Sequence, residues 1–229
     1  MTRHSHDAHD HQHPGDHHGS HNAAARIITV RPASGLSGDI MLAGLAALAG
    51  LDNARLAALT EELNLPALQG CVRLEPRSVN HVAGFGCHID LPHEHEHRTL
   101  ADILTIIDAS RMPERAKEAA VRAFRLLAEA EGAVHGIAPE SVSFHEVGAL
   151  DSILDTCLVC RLFEELNANR LVCGPLPLAD GFVQCAHGRI AVPAPAVLRL
   201  LEGVPVCAFA GRGETVTPTA AALLKALNA

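Results

Sequence analysis

The sequence predicts a mixed α and β protein, one sheet packed by helices, behind a disordered histidine-rich tail. Three observations carry this reading. Apolar runs at helical spacing alternate with short β-like runs along most of the chain. Apolar residues make up 48% of the 229, yet Trp and Tyr are absent, so the core is built from Ala, Leu, Val and Ile. The first residues interleave His4, His6, His9, His11, His13, His17, His18 and His21 with Asp, Gln, Ser and Gly, and so have nothing to bury. Residues 1–23 are therefore read as a metal-binding tail, and 24–229 as a single α/β domain, long enough to bury a substantial core.

Residues 26–30, Arg-Ile-Ile-Thr-Val, read as a buried strand. They lead through Pro32–Asp39 into an apolar helix ending near Ala49. A second helix starts at the Asp52/Asn53 cap and stops at Pro66. Residues 71–79 and 82–91 form two strands of a hairpin turning at Asn80-His81. Thr99 caps a helix to about Ala109, and Pro113 opens a longer one from Glu114 to about Glu131. A short strand at 142–144 precedes a largely buried helix from Leu150 to Leu166. Four β-like pieces (170–173, 182–185, 189–192, 204–208) then alternate with helices at about 194–202 and 218–227.

The formal charge of −8, with no basic stripe, argues against a nucleic-acid surface. No apolar run reaches the roughly 18–20 residues of a membrane span, and the polar N-terminus lacks a secretory h-region. Seven scattered cysteines fit reduced thiols in a cytoplasmic protein. Cys157-x-x-Cys160 lies in an apolar helical stretch without a second such pair, which favours core packing over metal or redox work.

Strand, Ser34-Gly35-Leu36-Ser37-Gly38-Asp39, then helix is the layout of an anion site. Glycines admit close approach, and first-turn N–H groups favour a phosphate or carboxylate. A tight structural turn, with Asp39 merely complementing the helix dipole, is the competing reading. In Phe144-His145-Glu146-Val147-Gly148-Ala149-Leu150-Asp151, an imidazole and a carboxylate precede a helix that carries Asp151 in its first turn and Asp155 one turn later. Such groups converge on a cation or transfer protons, unless Asp151 is a capping residue and His145 a surface group. His187, at a Gly-bounded turn between β-like pieces, suits proton shuttling or a purely structural role. Thr215–Thr219 reads first as the start of a helix with Pro at its first position. The inner tract His93-Glu94-His95-Glu96-His97 offers three imidazoles at period two, suited to Ni²⁺, Zn²⁺ or Co²⁺.

Together these segments resemble the LarC family of nickel insertion proteins. The resemblance rests on Ser34–Met41, His93–His97, Ala130–Gly136, Phe144–Ser152, Pro175–Leu178, Ala186–Gly188, Val192–Ala196, Gly203–Pro205 and Val216–Thr219, in order, over about residues 26–227. It implies insertion of Ni²⁺ into pyridinium-3,5-bisthiocarboxylic acid mononucleotide, a lyase-class chelatase step giving the nickel-pincer cofactor of lactate racemase-type enzymes. On that picture His93, His95 and His97 capture nickel. Asp39, His145, Glu146, Asp151 and His187 form the polar catalytic site, with Ser34, Gly35, Ser37 and Gly38 on the mononucleotide phosphate. CTP with Mg²⁺ or Mn²⁺ is expected only with the family's C-terminal nucleotide-binding domain, which this sequence lacks, so a separate C-terminal segment is the expected partner. Neither nucleic acid nor membrane is expected as a partner, and a homo-oligomer is left open. The rival function is a non-catalytic nickel metallochaperone or store.

Overall fold

The computed structural model describes residues 25–91, 97–145, 147–185 and 188–229. The chain opens with β1 (Ile27–Val30), α1 (Gly38–Leu48) and α2 (Asn53–Glu61). Next come the hairpin β2 (Val72–Val79) and β3 (Val82–Ile89), then β4 (Arg98–Thr99), α3 (Leu100–Ala109) and α4 (Glu114–His135). After β5 (Ser143–Phe144), α5 (Leu150–Glu165) and β6 (Arg170–Cys173), the chain forms β7 (Leu176–Cys185) and β8 (Gly188–Val192). It closes with α6 (Pro195–Leu200), β9 (Val206–Arg212) and α7 (Pro218–Ala226).

Three helix starts, those of α2, α3 and α7, follow from local capping chemistry. Asp52 accepts the Arg55 N–H at 2.7 Å, and Thr99 forms a reciprocal capping box with Asp102. Thr217 accepts the Ala220 N–H ahead of Pro218. Two ends differ from the sequence expectation. Helix α2 stops at Glu61 and turns through Asn64 at φ 56°. Helix α4 runs on to His135, where Gly136 at φ 67° supplies the left-handed stop.

The mixed α and β class holds, but the expected single sheet is replaced by four small ones among the described residues. Parallel β1–β6, the β2–β3 hairpin, the antiparallel pair β4–β5 and the order β8-β7-β9 are separate. The reason lies in where the apolar surface goes: helices bury it against one another. Helix α5 is the axis, with every residue from Ile153 to Leu162 buried, and α1, α4 and α7 pack around it. Helix α4 presents Ala116, Ala119, Ala120, Ala123, Phe124, Leu127 and Ala128 to this core at helical spacing. Strand β7 is longer than its expected C-terminal half. It pairs in parallel with β9 as far as a register shift at Leu178/Asp180, then antiparallel with β8 beyond Gly181.

Cys157 and Cys160 are 0% and 1% exposed, unbridged, and burial pushes both thiols up. They are core residues. Among the described residues no helix is long and apolar enough to cross a membrane.

Candidate functional site

The loop from β1 to α1 is held by a segment far away in sequence. Gly35 stands at φ 137°, and a Cβ there would run into the Thr215 carbonyl, so a side chain is excluded both by backbone conformation and by space. The Leu36 N–H donates to Thr215 O at 2.7 Å, and the Thr217 N–H donates to Leu36 O at 3.1 Å. Thr215 in turn donates its hydroxyl to Pro177 O at 2.6 Å. The Thr215–Thr217 stretch therefore clamps the loop as well as starting α7.

Ser37 occupies the N-cap of α1 in an extended conformation, yet makes no side-chain cap. Its hydroxyl donates instead to the Asp39 carboxylate. The first-turn amides of α1 are thus left without a side-chain acceptor, the condition an incoming phosphate needs. Helix α5 also starts uncapped, behind Ala149, while Asp151 in its first turn accepts the Ser152 N–H at 2.7 Å. Asp39 and Asp151 are both exposed.

Between these helices lies Asp155. A Cβ on Gly38 would come within 2.7 Å of its Oδ2 and 2.9 Å of its Cβ, so α1 approaches α5 here only because residue 38 is glycine. Burial, then the charges of Asp39 and Asp151, push the Asp155 carboxyl up to about 8. The Cys87 thiol on β3 is pushed up to about 12 by burial and by Asp155 and Asp39. Asp39, Asp151, Asp155 and Cys87 therefore share one acidic field.

A second group forms where β4 meets β5. The register Arg98↔Phe144 brings the His97 and His145 rings edge to face, with centroids 4.6 Å apart. Phe144 is buried and meets Phe124 at 6.3 Å, and Arg98 donates to Gly148 O at 2.9 Å across the tight turn leading into α5. A candidate from the inner tract is thereby joined to one from the Phe144–Asp151 motif.

His93, His95, Glu146 and His187 lie outside the described residues. Among the described residues no three His, Cys, Asp or Glu side chains are gathered closely enough to hold a metal ion. Sequence reasoning did not single out Cys87 or the Thr215 clamp. Asp155 was visible only as a carboxylate one turn after Asp151.

This architecture defines a mixed α/β protein that presents an uncapped helix start, a group of carboxylates sharing one field and paired imidazoles. The nickel insertion protein model matches residues 28–229, and the chain belongs to that family. A protein of Myxococcus xanthus named for nickel insertion is 41% identical over 88% of this chain and 52% of its own length. One from Citrifermentans bemidjiense is 45% identical over 85% and 50%. The pyridinium-3,5-bisthiocarboxylic acid mononucleotide nickel insertion protein of Staphylococcus saprophyticus is 35% identical over 85% and 49%. The chain thus spans about half the length of these curated relatives. No solved structure matches it.

Proposed function

We propose that this chain takes part in nickel insertion into pyridinium-3,5-bisthiocarboxylic acid mononucleotide, forming the nickel-pincer cofactor of lactate racemase-type enzymes. The observation carrying this reading is the uncapped start of α1 beside Asp39 and Asp151, in a chain of the nickel insertion family. The loop Ser34–Gly38 receives the mononucleotide phosphate on first-turn amides. The soft thiocarboxylate sulfurs suit nickel, and closing the sulfur–carbon–sulfur chelate displaces a ring proton. His93, His95 and His97 gather the ion. Asp39, His145, Glu146, Asp151 and His187 orient it and take up the proton. A C-terminal segment supplies CTP-dependent activation with Mg²⁺ or Mn²⁺, in the cytoplasm. Residues 24–229 act as one domain, and residues 1–23 as a nickel reservoir.

Reconstitution tests this reading: the chain, a C-terminal segment from a relative, Ni²⁺, CTP and the mononucleotide are combined, and the pincer product is sought by mass. No product despite tight nickel binding overturns insertion and leaves a metallochaperone. Deleting residues 1–22 should lower the number of bound nickel ions yet spare product formation. His145→Ala or Glu146→Ala should do the reverse.

A further inference from the structure

Thr215 lies between the loop that starts α1 and strand β7, and its two polar groups face opposite ways. Its backbone carbonyl accepts the Leu36 N–H at 2.7 Å and fills the space over Gly35. Its hydroxyl turns to β7, donating to Pro177 O at 2.6 Å and accepting the Ala179 N–H at 3.4 Å. Ala179 falls inside the register shift between Leu178 and Asp180, where the β7–β9 ladder is interrupted. A hydroxyl suits that gap because it donates and accepts at once.

Backbone packs on backbone along both flanks of this segment. A Cβ on Gly181, at φ 138°, would come within 3.3 Å of the Gly213 nitrogen, whose N–H donates to Asp180 O at 3.4 Å. Leu36 on the other flank forms an isolated parallel bridge with Val216. Residues 213–216 are therefore a spacer between β7 and the Ser34–Gly38 loop, and the Thr215 side chain pins that spacer to β7. We propose that the Thr215 hydroxyl is a positioning group for the mononucleotide phosphate: it fixes the Ser34–Gly38 loop against β7 and so aims the first-turn amides of α1. This rests on the reading that the loop receives the phosphate. Thr215 acts through the loop and touches no ligand itself. A receptor built from backbone amides has no side chain to readjust, so its geometry is only as good as the contacts that hold the loop. Loss of the hydroxyl unpins the spacer, and the carbonyl that holds Leu36 shifts with it.

The test compares Thr215→Val, which keeps the shape without the hydroxyl, with Thr215→Ser, which keeps the hydroxyl. Calorimetry on the full chain measures affinity for the pyridinium-3,5-bisthiocarboxylic acid mononucleotide and for its phosphate-free nucleoside. The parent should prefer the mononucleotide by at least about tenfold. Thr215→Val should lose most of that preference with nucleoside affinity unchanged, and Thr215→Ser should restore it. Without any ligand, Leu36 amide exchange should quicken by roughly tenfold in Thr215→Val and return towards the parent in Thr215→Ser. Thr215→Ala, with less bulk, replaces the valine variant should that one not fold. Equal weakening of both ligands would make the hydroxyl merely structural and overturn the proposal. So would a full phosphate preference and slow Leu36 exchange in Thr215→Val, with the phosphate reading left standing. A parent that binds neither ligand, or both alike, sinks the phosphate reading and this inference with it.

Discussion

The two halves of α5 each bury one ionisable side chain and treat it in opposite ways. In the C-terminal half, Arg161 is 9% exposed and is met by Glu62 at 2.7 Å and Glu165 at 2.9 Å. In the N-terminal half, Asp155 is equally buried and has an oxygen with no partner. A charge that serves only the fold is neutralised where it stands, because leaving it unpaired costs several kcal/mol. A buried carboxyl left unpaired is relieved by keeping its proton instead, and burial with the charges of Asp39 and Asp151 pushes that of Asp155 up to about 8. Helix starts draw the same contrast. Those of α2, α3 and α7 are closed by Asp52, Thr99 and Thr217, whereas α1, α4, α5 and α6 begin without a side-chain cap, α1 and α5 carrying Asp39 and Asp151 in their first turns.

The largest test of this comparison is the pH dependence of Asp155. Its proton is held more tightly in the folded chain, with a midpoint of about 8, than in the unfolded one, where it is about 3.9. The native state therefore binds the extra proton between these values. The stabilisation is fully present below about pH 3.9 and is lost as pH rises through about 8. Across that window the loss amounts to on the order of 5 kcal/mol as an upper bound. Asp155→Asn, which cannot ionise, should be more stable than the parent at pH 8, and the difference should shrink on acidification. Urea unfolding at a series of pH values checks this, and a pH-independent difference would refute it.

Breaking the paired half should act in the other direction. Arg161→Ala leaves Glu62 and Glu165 without their shared cation and should cost about 3 kcal/mol, towards the low end for buried pairs because Glu62 and Glu165 are partly exposed. Equilibrium unfolding at pH 7 measures it, and an unchanged midpoint would place Arg161 with ordinary surface charges. Gly38→Ala comes next. Its new methyl meets Asp155 at 2.7 Å and should cost about 1–3 kcal/mol as α1 and α5 are pushed apart. Combining it with Asp155→Ala should recover part of that loss, and strict additivity would show that the two residues do not meet.

These cases separate what the sequence reveals from what it hides. Asp52, Thr99 and Thr217 were legible because a cap acts within four residues of itself, and the apolar spacing of α4 was legible for the same local reason. The division into four sheets was not, since alternation of apolar residues tells which face is buried but not which strand is the neighbour. Asp155 was legible as a carboxylate one helical turn from Asp151, while its burial depends on Gly38 crossing over it. The clamp of Thr215 on Gly35 and the meeting of His97 with His145 depend on pairings between distant segments that local patterning does not encode.

The smallest effect on stability should come from Ser37→Ala, and its smallness is informative. A serine that caps its helix is worth about 1 kcal/mol on replacement by alanine. Ser37 holds the capping position of α1 but turns its hydroxyl to the exposed Asp39, so its removal should cost only a few tenths of a kcal/mol in thermal or urea unfolding. Binding should respond far more. Freed from Ser37, the Asp39 carboxylate is able to turn onto the open amides of its own helix and compete with an incoming phosphate. Calorimetric affinity for the mononucleotide should then fall by roughly tenfold while the melting temperature stays put. A stability loss as large as that expected for Thr99→Ala, with binding unchanged, would make Ser37 one more closed helix start and erase the distinction between α1 and α3.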